Sequence, residues 1–319
     1  MFPSIKHNRG VALLTAILMV ALATILAVNI AFRGYLDQRR AMTSFALDQG
    51  FEVAMGAEAF AAEALATDFK LNQKETLPTQ NWAQPVHLPM EIGALDGVLE
   101  DMAGRFNLNN LAETDPKKRD DYLKQFRNLL TLLELETEWA DKLADWIDAD
   151  SNPTIPDGGE DDIYTSLKPA YLVPNMPITR ISELFALKGF GLARFRKLEP
   201  FVSALPPGTP LNICTAPGEV LDSFGASMRQ FSLNAKFLTQ QRQSACFPSR
   251  NDLQTALSAA TQDERARVAD PKIVGTTSSH FRATIVVTLG TNVFTMYSHL
   301  QRSSTGESSA AVLRSFGVD

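Results

Sequence analysis

Seven carboxylates fall within eighteen positions: Asp145, Asp148, Asp150, Asp157, Glu160, Asp161 and Asp162. Pro153, Pro156, Gly158 and Gly159 turn the chain between them. Like charges at this density repel unless water or a counter-ion neutralises them. Clustered carboxylates on flexible turns suit a hard cation. Ca²⁺ takes six to eight oxygen ligands of this kind, whereas Mg²⁺ prefers fewer protein ligands and tighter geometry. The spacing is not that of an EF-hand loop, because no glycine at the sixth place lines up with a glutamate at the twelfth. Composition alone leaves two readings open, a calcium site and a solvated acidic loop. Asp145 with Glu160 would be the general acid and base of a hydrolase, but nothing in the sequence supports a pocket around that pair.

Other reactive residues are sparse. Cys214 and Cys246 are the only cysteines, with no CxxC spacing and no Cys/His cluster, which argues against zinc. In an oxidising compartment they would form one disulfide; otherwise they are two separately buried thiols. His7, His87, His280 and His299 are scattered. Leu187-Lys188-Gly189-Phe190-Gly191, flanked by Arg194, Arg196 and Lys197, has the look of a helix-hairpin-helix, a turn whose amides can hold a phosphate. The chain carries a formal net charge of −6, however, without the basic excess of a nucleic-acid binder. Helix packing or a protein contact is the expected use of that turn, and no nucleic-acid partner is expected.

The elements that position these residues begin with Val11–Phe32, which has no charged residue. At about 1.5 Å per residue an α-helix of this length crosses roughly 30 Å of hydrocarbon. Lys6, His7 and Arg9 precede it, so the N-terminus is expected on the cytoplasmic side. The apolar run exceeds the roughly 7–15 residues of a signal-peptide core. Helical character continues without proline to Phe69, so one helix is expected from about Val11 to Asp68, apolar all round and then amphipathic. Phe45, Phe51, Met55 and Phe60 mark the apolar face of its second half, for contact with partner subunits or with the protein's own sheet. Leu71–Met90 holds Pro78, Pro85 and Pro89 and reads as an exposed connection.

Val98, Glu100 and Met102 alternate as in a strand, and Gly104 with Asn107, Asn109 and Asn110 suggests turns. Asp115-Pro116 caps a helix bearing Tyr122, Phe126, Leu129, Leu130 and Leu133 on one face. Glu138–Ile147 is a second helix, followed by segments near Ile181–Leu187, Leu192–Phe201, Ala216–Phe224 and Asn251–Ala260. The period then changes. His280–Leu289 and Val293–Gln301 alternate and are rich in β-branched and aromatic residues, with a turn at Gly290-Thr291-Asn292. Ala311–Phe316 is a last candidate strand. The class is therefore α+β: a long helix and a small antiparallel sheet interrupted by a large helical insertion.

A basic leader ending Arg9-Gly10-Val11 before an unbroken apolar helix resembles a type IV prepilin leader. GRFNLNNL at Gly104–Leu111, DWIDADSNP at Asp145–Pro153, PDGGEDD at Pro156–Asp162, LNICTAP at Leu211–Pro217 and RSFG at Arg314–Gly317 extend the resemblance over nearly the whole chain, to the K-type minor pseudopilins of type II secretion systems. The resemblance implies a type IV pilin-like fold with a large α-helical domain inserted in the sheet. It divides the chain into a leader (1–10), a transmembrane pilin helix (11–70), a connection and first strand (71–104), an inserted helical domain (105–270) and C-terminal strands (271–319). It implies cleavage by a prepilin peptidase between Gly10 and Val11, N-methylation of Val11, and a non-enzymatic subunit in the inner membrane with its body in the periplasm. There it caps the tip of the pseudopilus beside other minor pseudopilins and supports its assembly. Most pilins carry glutamate at the fifth mature position; here it is Thr15, which suits a subunit with none ahead of it. The resemblance also favours calcium, in a structural role, over a merely solvated acidic loop. Cys214 departs from the polar residue expected in that motif. The alternatives are a membrane-anchored periplasmic metal-dependent hydrolase and a minor pilin of a type IV pilus or competence system.

Overall fold

The computed structural model describes residues 9–91, 93–226, 228–257, 262–303 and 305–317. The first eight residues of the expected leader, Lys6 and His7 among them, lie outside the described residues, as does the end of the expected Asn251–Ala260 helix.

One helix, α1, runs from Arg9 to Leu71. From Val11 to Phe45 every residue except Leu36 is exposed; burial starts where the helix meets a sheet. The sheet has five antiparallel strands: β1 (Val86–Met90), β2 (Gly93–Asp101), β7 (His280–Leu289), β8 (Asn292–Arg302) and β9 (Ser309–Phe316), in the order β1-β2-β7-β8-β9. The alternation of β7 is the period-2 pattern of a strand with one buried face: Phe281, Ala283, Ile285, Val287 and Leu289 point inward. Ala54 and Leu65 of α1 share that core with Met296 and Leu300 of β8. A two-residue turn joins β7 to β8, with Leu289 paired to Asn292. Gly290 opens this turn at φ 58°, a conformation glycine adopts without a Cβ clash.

β1 departs from expectation. The proline-rich connection ends in a strand that pairs Val86 with Gly97 and Met90 with Gly93. A strand containing Pro89 is tolerated because β1 is the sheet edge, where a missing N–H breaks no ladder on the outer side.

Between β2 and β7 the chain builds a second body. Its elements are β3 (Phe106–Asn107), α2 (Pro116–Leu132), α3 (Trp139–Ile147), α4 (Asp161–Thr165), α5 (Gly191–Leu198), β4 (Val202–Ser203), β5 (Leu211–Asn212), α6 (Gly218–Asp222), α7 (Ala235–Gln241), α8 (Arg250–Ala256), α9 (Gln262–Ala269) and β6 (Val274–Gly275). Asp115 caps α2 by accepting from the amides of Lys117 and Lys118. Tyr122, Phe126, Leu129 and Leu130 of α2 meet Trp139, Leu143, Trp146 and Ile147 of α3 in a core separate from that of the sheet. Ile181–Ala186 forms a 3₁₀ turn in place of an α-helix.

Candidate functional site

Two regions carry the chemistry, the α1 rod and the acidic loop. On the rod, Gly50 lies so close to the sheet that a Cβ there would stand 2.8 Å from the Cβ of Phe294. At the next residue, the Phe51 ring packs against Phe294 and Phe316, centroids 6.3 and 5.8 Å away, and Met55, one turn on, packs against the sheet core. These two residues therefore contact the protein's own sheet, on the helix face that β8 and β9 cover. Phe45 and Phe60 are 71 % and 64 % exposed and remain available to a partner. Glu58 locks the same helix down. Its buried carboxylate accepts from Arg314 Nε and Nη2, both at 2.7 Å, and from Ser298 Oγ. Burial alone would raise its pKa, but the Arg314 and Ser298 hydrogen bonds outweigh burial and hold it below the ordinary value. Lower on the rod, Thr15 Oγ1 donates to the Ala12 carbonyl at 3.0 Å, so this hydroxyl is satisfied by its own helix. Gly10 and Val11 are both helical, at the beginning of α1.

The seven carboxylates do not form one cage, and among the described residues no three of His, Cys, Asp and Glu are grouped to hold a metal ion. Each has a distinct fate. Asp145, wholly buried at the end of α3, accepts from Thr154 N (2.9 and 3.1 Å), Thr154 Oγ1 (2.5 Å) and Gly159 N (2.8 Å). It folds the loop back on itself. Asp148 pairs with Arg119, and Asp161 accepts from the Val173 amide at 2.9 Å. Asp150 is exposed and accepts from Asn152. Asp157 and Asp162 point to solvent. Of the seven expected ligands, several therefore have oxygens already occupied by the loop's own donors or by Arg119.

Glu160 differs from the rest. It is 5 % exposed, and both of its oxygens are buried without a hydrogen-bond donor, as is Asp148 Oδ1. Burial pushes the Glu160 pKa up to about 7, and Asp145, Asp148, Asp161 and Asp150 push in the same direction. A buried carboxylate with no donor costs free energy unless a proton or a cation neutralises it. These orphaned oxygens fit the demand of a hard cation for oxygen ligands.

A third cluster escapes sequence reading. Asp101, the last residue of β2, is half-buried at the joint between the two bodies. Its carboxylate accepts from Ser278 Oγ (2.5 Å), Thr215 Oγ1 (2.6 Å), Asn212 Nδ2 (2.8 Å) and Ala103 N (2.9 Å). Burial raises its pKa against the pull of these donors. The asparagines of the GRFNLNNL segment act similarly. Asn109 bonds both N–H and C=O of Ile178 and the Leu205 carbonyl, and Asn107 accepts from Leu205 N. These asparagines are side-chain staples of distant loops as well as local turn residues. Beside them, Cys214 and Cys246 form a disulfide, Cα–Cα 4.7 Å, in preference to two thiols. In the hairpin turn, Gly189 and Gly191 have φ of 85° and 73°. Arg194 there is paired through both ends of its guanidinium to Glu136, at 2.7 and 2.8 Å.

Comparison with known proteins matches this architecture. A family model described as type II secretion system (T2SS), protein K, covers residues 104–207. The type II secretion system protein K of Pseudomonas aeruginosa is 38 % identical over 68 % of this chain and 68 % of its own length. That of Klebsiella pneumoniae is 30 % identical over 98 % of this chain and 97 % of its own length. In fold, the chain superposes on one chain of the crystal structure of the GspK–GspI–GspJ complex from the enterotoxigenic Escherichia coli type 2 secretion system. The TM-score is 0.76 at 24 % identity, covering 88 % of this chain and 100 % of that one. With the rod, the sheet and the inserted body all in place, the chain belongs to the type II secretion system protein K family and is a minor pseudopilin.

Proposed function

We propose that this minor pseudopilin caps the tip of a short periplasmic pseudopilus and supports its assembly. The observation that carries the reading is the asymmetry of α1: its Val11–Phe32 stretch is apolar and uncovered, while its second half is fixed to a sheet that bears a second, larger body. The uncovered half lies in the inner membrane as a single span until the subunit joins the filament, where apolar burial at roughly 25 cal/mol per Å² retains it. The inserted body obstructs the space that a further subunit would occupy, so the position is terminal. A prepilin peptidase cuts between Gly10 and Val11 and methylates Val11. Thr15, satisfied by the Ala12 carbonyl, needs no partner from a subunit ahead.

Other minor pseudopilins are the proposed partners. The complex whose chain this fold resembles contains GspI and GspJ, and counterparts of these would meet the Phe45 and Phe60 side of α1. The role is structural, with no reaction proposed. Family membership favours it over an anchored hydrolase or a pilus subunit of another system. The acidic loop holds a structural Ca²⁺ through Glu160 and Asp148, with Asp150 beside them; when bound, the ion supplies the positive charge that Glu160 lacks. Deleting the chain from its native secretion system tests the assignment. Exoprotein release is expected to fall several-fold and to return with the intact chain, whereas unchanged release contradicts it.

A further inference from the structure

Just past the apolar stretch of α1, the helix carries Arg33, Tyr35, Arg39 and Arg40 against a single acid, Asp37, a local excess of two positive charges. With the leader's Lys6 and Arg9 on the cytoplasmic side, these arginines sit on the far face of the membrane, where basic residues are ordinarily disfavoured. The Cys214–Cys246 disulfide independently places the body on the oxidising side.

We infer that Arg33, Tyr35, Arg39 and Arg40 form a collar that binds the phosphates of anionic phospholipids in the outer leaflet of the inner membrane. The inference rests on the reading of α1 as a membrane span. Its geometry follows from helix direction. Side chains on a helix lean toward the N-terminus, which here is toward the bilayer. Arg39 and Arg40 stand about 10–12 Å beyond Phe32 along the axis, yet both lean back. Arg39 Nε donates to the Tyr35 hydroxyl at 2.9 Å with its guanidinium 5.4 Å from that ring's centre, and Arg40 reaches Asp37 at 3.4 Å. Their charges are thereby brought toward the headgroup layer, roughly 5–8 Å deep on each side. The Tyr35 hydroxyl, having accepted from Arg39, retains its own proton to donate to a phosphate. Guanidinium offers the paired donors that suit phosphate oxygens.

The occupant is lipid and not a protein partner because the cations lie on more than one face. Arg33 and Arg40, two turns apart, share one side of the helix, while Arg39 and Tyr35 occupy another. A partner helix meets one side, whereas lipid surrounds the rod. Tyr35 is half exposed, as suits an aromatic ring at a membrane interface.

The test reconstitutes the full chain, with its leader unprocessed, in phosphatidylcholine bilayers with spin-labelled phosphatidylglycerol or phosphatidylcholine as probe, reading the motionally restricted lipid at the protein surface by electron paramagnetic resonance. Phosphatidylglycerol is expected to be enriched at least about threefold over phosphatidylcholine in low salt and much less at high salt. The enrichment should be lost in the R33Q/R39Q/R40Q chain, kept in R33K/R39K/R40K and kept in the leader variant K6Q/R9Q. Enrichment that survives the triple glutamine change, or that disappears with K6Q/R9Q alone, overturns the collar. Absence of restricted lipid with either probe overturns the span itself, and the collar with it.

Discussion

At the scale of the residue, the molecule buries several ionisable groups and satisfies all but a few. Glu160 stands out among the described residues, with both carboxylate oxygens buried and unpartnered. Ca²⁺ bound through its orphaned oxygens would stabilise the native state by mass action, about 2.7 kcal/mol at a hundred times Kd. Removing calcium with a chelator is therefore expected to lower the Tm of the chain by at least about 5 °C, and Glu160→Gln to abolish that difference. An unchanged Tm in calorimetry contradicts a calcium-stabilised loop.

His280 gives a second residue-level expectation. Its ring lies 3.1 Å from the Nε2 of His299, and burial, aided by His299, pushes its pKa down to about 4. The unfolded side chain titrates near 6.5. Above that pH both states are neutral and nothing is lost. As the pH falls from about 6.5 to about 4, the unfolded chain takes a proton that the fold refuses, and stability drops by about 3 kcal/mol. His280→Gln should flatten this part of the stability–pH curve in denaturant titrations. Superimposable curves for the two proteins exclude His280 as the cause.

At the scale of the element, the helix–sheet interface divides α1 into a bound and a free face. Phe51→Ala removes a ring held by Phe294 and Phe316 and is expected to cost about 1–2 kcal/mol. Phe60→Ala, on an exposed ring, should change stability by less than about 0.5 kcal/mol while weakening association with partner pseudopilins. Equal losses of stability in the two variants would refute the division. These positions also mark how far the sequence reaches. The helical spacing of Phe45, Phe51, Met55 and Phe60 is visible, but which of them faces the sheet depends on where β8 and β9 dock. β7 and β8 are legible almost to the residue, since alternation along a strand with one buried face is a local pattern. β1 is not, because Pro89 argues against a strand until its edge position is known. The acidic loop is visible as composition. That Asp145 is satisfied while Glu160 is orphaned depends on the return of Thr154 and Gly159 to Asp145. Asp101 is hidden entirely, since three of its four donors lie 111, 114 and 177 residues along the chain.

At the scale of the whole molecule, a rod, a clamp and a second body form one mechanical series. Glu58 and Arg314 fasten the rod to the sheet, and Asp101 fastens the sheet to the inserted body. A load on the apolar end of α1 passes through both joints, as a tip subunit drawn out of a membrane requires. The reading depends on that apolar end surviving maturation with a new terminus at its head. Intact-mass and N-terminal peptide mass spectrometry of the protein purified from its native membrane measures this directly. A chain beginning at N-methylated Val11 is expected. An intact Met1, or a terminus beyond residue 25, would contradict it.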